Sequence, residues 1–153
     1  RGPGGEAFHH GEGEGVGSRG VGRGARKMAA NRGYVDLQVW AKAMDLAALV
    51  YALGPSMPKT EVYGMTSQMQ RASASIPANI AEGYQRGSRK DYARFVSIAR
   101  GSLAETETFL MLAAKVDHLS PQAIQPALQL ADEVSRMLTR LKQRLDDPPA
   151  SEA

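Results

Sequence analysis

Carboxylates, guanidiniums and an amide recur through the middle of the chain at Asn79, Glu82, Arg94, Arg100, Glu105 and Glu107. A carboxylate positioned against an arginine can serve as a general acid or base, so these residues are the first place to look for chemistry. The same types also form ion pairs and amide hydrogen bonds that fix helix register and subunit orientation. That structural role is the expectation for Asn79, Glu82, Arg100 and Glu105, with Asn79 placed to satisfy a carbonyl freed by the nearby Pro77. Asn79 is not a glycosylation acceptor, because Ala81 fills the third position of that motif. Ser73, Ser75, Ser88, Ser97 and Ser102 have no histidine near them in sequence, and His118 is the one histidine beyond His9 and His10. A lone histidine at a helix C-terminus is read as a dipole interaction. His9 and His10 lack the further ligands of a metal site, and Gly83, Gly87 and Gly101 follow no strand that would make them a phosphate loop. With no cysteine, a disulfide scaffold and a thiolate metal site are excluded. A non-enzymatic protein without cofactor or metal is expected.

Those residues must be positioned by helices. From Asp36 onward apolar residues recur at three- and four-residue spacing, and no segment alternates as a half-buried strand would. A first helix is expected over about 37–53, capped by Asp36, with Trp40, Met44, Ala47 and Tyr51 on its packed face. Gly54-Pro55 and Met57-Pro58 end it. A second helix is expected over about 64–84 and should bend at Pro77. Ser88, with Asp91 three residues on, marks the start of a third. That helix, about 89–116, carries the seam Tyr92, Phe95, Ala99, Ser102, Thr106, Phe109, Ala113 and Val116. Beside it runs a second stripe, Val96, Leu103 and Leu110. Two stripes suit either a helix contacted from more than one side, in a bundle or an oligomer, or one broad core face. Ser120 and Pro121 open the fourth helix, with Pro126 expected to delay its regular part and Ala127, Ala131, Val134, Leu138, Leu141 and Leu145 as its seam. Short connections favour antiparallel neighbours, so the fold class is all-α, an antiparallel up-down-up-down four-helix bundle over 34–147. The tail 148–153 is expected to be disordered.

The net charge of +3 is not spread evenly over the 153 residues. Residues 1–33 hold six basic and three acidic side chains and 11 of the 16 glycines, whereas residues 34–153 hold 13 of each sign. Such a glycine-rich segment cannot bury enough surface to offset its ordering entropy and is expected to be disordered. Its Arg-Gly pairs are of the kind found in RNA-binding segments, but the preferred reading places 1–27 upstream of a native start at Met28. The longest apolar run, Leu46 to Leu53, is far short of the ~20 residues of a spanning helix. A cytoplasmic protein without membrane contact is expected.

The stretch 75–105, SIPANIAEGYQRGSRKDYARFVSIARGSLAE, closely resembles the signature of the bacterial four-helix-bundle family of proteins encoded in 23S rRNA intervening sequences. LQVWAKAMDLA at 37–47 and PKTEVYGMTSQMQRA at 58–72 look like the same family, so the resemblance covers roughly 36–145. Gln70 stands where a basic residue is common, which lowers the basic character, and Met57 and Met65 where Phe and Leu are usual. The family is similar in fold to the accessory variability determinant of diversity-generating retroelements, a pentameric barrel that binds a reverse transcriptase and nucleic acid. The resemblance therefore implies a cyclic homo-oligomer, a pentamer, with RNA or DNA, a reverse transcriptase or another protein as partner. It implies no defined enzymatic activity.

In such a bundle the turn between helices two and three, the end of helix four and the start of helix one share a pole. Arg86, Arg89, Lys90, Arg94, Arg140, Lys142 and Arg144 gather there against Asp36, Glu82, Asp91, Asp146 and Asp147. Repeated around a ring, that pole would bind phosphates. The alternatives are a solvated mixed-charge end and a protein scaffold without nucleic-acid binding.

Overall fold

The structure, a computed structural model, describes residues 33, 34 and 37–147. The expected tails 1–32 and 148–153, and the proposed cap Asp36, lie outside the described residues. Four helices form the fold, with no strand among the described residues: α1 (Gln38–Leu53), α2 (Met65–Gln85), α3 (Arg89–Lys115) and α4 (Pro121–Asp146). Each packs on its neighbour in sequence, and α4 returns to α1.

Local chemistry sets the helix starts. Leu37 occupies the α1 N-cap without a side-chain bond. Glu61, in the short 3-10 turn before α2, accepts the Met65 N–H at 2.9 Å. Ser88 and Ser120 cap α3 and α4, accepting from the N–H groups of Asp91 and Ala123 at 3.1 and 3.0 Å. α3 ends where Asp117 turns to φ 61°, a left-handed conformation more often given to glycine. Both internal prolines are absorbed. α2 continues through Pro77, and α4 runs unbroken from Pro121 through Pro126, so the expected delay in its start does not occur.

The core is built from Val39, Ala43, Leu46 and Val50 of α1, Met69, Ile76 and Ile80 of α2, Val96, Leu103 and Leu110 of α3, and Ala131, Val134 and Leu138 of α4. Two readings of the sequence change here. The packed face of α1 is only half the expected one: Ala47 is buried and Trp40 packs against the core, but Met44 and Tyr51 are 45% and 50% exposed. The second stripe of α3 is fully inside the chain, so the core accounts for it without a second copy. α3 packs against both α2 and α4.

Two features fix α2 on α3. A Cβ at Gly83 would fall 2.6 Å from Phe95 Cβ, so only glycine permits this approach. Further along, the Ser75 and Ser102 hydroxyls meet at 2.7 Å. Asn79 Nδ2 donates to the Ser75 carbonyl at 2.7 Å and to its hydroxyl at 3.0 Å, and Thr106 Oγ1 donates to the Ser102 carbonyl at 2.8 Å. Asn79 thus serves the Ser75 carbonyl one turn back rather than the Ser73 carbonyl that Pro77 leaves without its usual donor.

Candidate nucleic-acid interface

The first residues of α1 and α3 and the last turns of α4 come together at one end of the molecule, and the basic residues expected from the sequence lie there in two grooves. Arg140 and Arg144 line a cavity of ≈ 260 Å³ with Gln38, Val39, Tyr92 and Met137, between α1 and α4. Arg89, Lys90, Arg94 and Lys142 line a more open groove of ≈ 530 Å³ between α3 and α4, with Asp146 and Asp147 on its rim. Arg86 ends α2 just before the turn. The seven residues therefore do not form one patch. Arg140 and Lys142 are two positions apart, about 200° around a helix, and must face different neighbours.

Partners divide them further. Arg86 pairs with Glu82 at 2.7 Å, Arg94 approaches Asp91 at 3.9 Å, and Lys142 pairs with Asp146. Arg89 donates to the backbone carbonyls of Arg144 and Asp147, capping the last turn of α4, where exposed carbonyls favour a cation. Lys90, Arg140 and Arg144 have no ion-pair partner among the described residues, although Asp146 and Asp147 share the groove with Lys90.

Phe95, read from the sequence only as part of a seam, organises this end. The Arg86 and Arg94 guanidiniums lie 5.0 and 4.5 Å from its ring centroid. Each such contact contributes about 0.5–1 kcal/mol at an exposed site, comparable to the exposed ion pairs beside it. Phe95 is 7% exposed, so a core side chain fixes two surface cations. Tyr92 packs edge-on to Tyr84 with centroids 5.8 Å apart. Burial raises its phenol pKa, Tyr84 adds to the rise and Arg144 opposes it, and its hydroxyl is buried without a hydrogen-bond partner.

The residues considered for acid–base chemistry are dispersed. Glu82, Arg94, Arg100 and Glu105 are exposed in the chain rather than buried. Of the ion pairs expected, Glu82 pairs with Arg86 and Arg94 approaches Asp91, and Arg100 and Glu105 have no ionic partner among the described residues. Glu107 is half-buried on the α4 side of α3. Burial raises its pKa, and the like charge of Asp132 raises it further. His118 lies 3.5 Å from Glu61, joining the α3–α4 turn to the α1–α2 connection, so a specific carboxylate and not only the helix end faces it. No group of three or more potential metal ligands occurs among the described residues. No described helix is long and apolar enough to cross a membrane.

Four helices around one core define an all-α protein, with several guanidiniums at one end. The chain belongs to the 23S rRNA-intervening sequence protein family, which it matches over residues 35–140. It is also similar to a crystal structure of a protein of unknown function from the S23 ribosomal protein family of Bacteroides thetaiotaomicron. The TM-score is 0.64 at 24% identity, over 69% of this chain and 98% of that one, a likeness that shows the fold. The chain matches none of the curated proteins.

Proposed function

We propose that this chain is a non-enzymatic, cytoplasmic accessory protein, an antiparallel up-down-up-down bundle that assembles into a cyclic homo-oligomer and binds RNA or DNA through phosphate contacts at its basic end. The observation that carries the binding is the set of unpaired cations, Lys90, Arg140 and Arg144, beside two guanidiniums held on Phe95. Arginine forks match phosphate oxygens, and a formally neutral body can still bind a polyanion where its positive charges lack local partners.

Exposed apolar side chains support assembly. Met44 and Tyr51 lie across α1 from Lys42, which pairs with Glu133 of α4 at 2.9 Å. Ile98 and Val116 lie across α3 from Glu107, which faces α4. Both patches turn away from α4 and flank α2, and two different patches on one subunit are what a head-to-tail ring requires. Five copies is the size implied by the family resemblance.

The test measures binding of single-stranded RNA and DNA by fluorescence anisotropy at low salt, with Lys90, Arg140 and Arg144 replaced together by Ala. Affinity should fall at least about tenfold, since three phosphates are no longer neutralised. Unchanged affinity would refute the role of these cations. A second reading, a protein scaffold, is favoured by Tyr63, which stands 97% exposed beside the half-exposed Val62 in the α1–α2 connection. It predicts salt-tolerant capture of a protein and no nucleic-acid binding.

A further inference from the structure

The groove between α1 and α4 differs from the rest of the basic end. It is a half-enclosed cavity of ≈ 260 Å³, less open than the groove between α3 and α4, and Val39, Tyr92 and Met137 are in its lining. Gln38, Arg140 and Arg144 bring an amide and two guanidiniums to its lining, and no acidic residue lines it among the described residues. One turn separates the two arginines, so both can reach one oxyanion. The space far exceeds the ~10–15 Å³ that one water requires and lies near the lower end of the ~300–1,000 Å³ of small-molecule pockets. A bare phosphate would leave the apolar wall uncovered.

We infer that this cavity is a binding site for a nucleoside monophosphate unit, its phosphate held by Arg140 and Arg144 and its base laid against Val39 and Met137. Gln38 supplies the amide that can meet a base edge. The occupant is either a free mononucleotide or the phosphorylated end of a strand, since both present a terminal phosphate on a nucleoside. The inference rests on the phosphate-binding reading of Arg140 and Arg144, but not on that of Arg86, Arg89, Lys90 and Arg94.

The experiment is a calorimetric titration of the full chain with adenosine 5′-monophosphate, adenosine and inorganic phosphate. A double variant, R140A with R144A, and a control variant, R100A, exposed and outside both grooves, are titrated beside it, with thermal melts to verify folding. Saturable binding of the monophosphate is expected, tighter than that of either fragment. The double variant should weaken it about tenfold or more and R100A should leave it nearly unchanged. Should the double variant fail to fold, R140K with R144K, which retains charge but not the fork, should still weaken binding. No saturable binding, or equal binding by a folded double variant, would overturn the inference. Competition by a decanucleotide carrying a 5′-phosphate, but not by its 5′-hydroxyl form, would identify a strand end as occupant. Competition by neither would identify the free nucleotide. Loss of long-strand binding with retention of monophosphate binding would count against the proposed function alone.

Discussion

Individual residues at the basic end carry charge that the fold uses in different ways. Arg89 is spent on the C-terminal carbonyls of α4, and Lys142 on Asp146, which leaves Lys90, Arg140 and Arg144 for an external anion. The caps were legible in the sequence because Ser88 and Ser120 act on N–H groups three residues away. Phe95 was not, because its partners come from both α2 and α3 and no local spacing reveals them. Two side chains give direct predictions. Glu107 has a raised carboxyl pKa in the fold, so its protonated form is favoured there, and the associated stability is lost as pH rises through the folded pKa. Glu107→Gln should therefore melt above the parent protein at neutral pH, with the difference shrinking as pH falls through the raised folded value and gone below the ordinary value of 4.5. Thermal melts across pH check it. Tyr92→Phe removes a buried hydroxyl that has no partner, so chemical denaturation should show stability unchanged or raised by up to about 1 kcal/mol.

Helix extents could be read from the sequence to within about a residue or two, since proline, glycine and serine punctuate each one. The facing of α1 could not. Trp40, Met44 and Tyr51 are large and share a heptad-like spacing, yet only Trp40 packs against the core, while the smaller Val39, Ala43 and Val50 fill the inside in place of Met44 and Tyr51. Where a helix has two apolar stripes, periodicity alone does not say which is covered first. The α2–α3 contact offers a paired test of the same kind of change. Gly83→Ala adds a methyl 2.6 Å from Phe95 Cβ and should cost about 1–3 kcal/mol. Gly101→Ala, in exposed α3 with nothing within 4 Å, should stabilise by about 1 kcal/mol through helix propensity. Urea unfolding of both variants distinguishes close approach from propensity.

At the scale of the whole molecule, two properties follow from how the helices are disposed. The apolar patches flanking α2 predict self-association: Met44→Lys with Tyr51→Lys should leave the melting temperature nearly unchanged but lower the sedimentation coefficient to that of a single chain. A heavy species that persists unchanged would place the interface elsewhere. The other property is charge without net charge. Residues 34–153 balance at 13 of each sign, yet among the described residues Lys90, Arg140 and Arg144 have no ion-pair partner, a distribution that composition alone does not reveal. The most direct measurement is the dependence of single-stranded RNA affinity on salt, as log K against log salt concentration, for the parent chain and for K90A with R140A and R144A. The account predicts steep weakening for the parent and a slope shallower by about 2 in the variant, near 0.7 for each phosphate no longer neutralised. Identical slopes, or an affinity indifferent to salt, would contradict it.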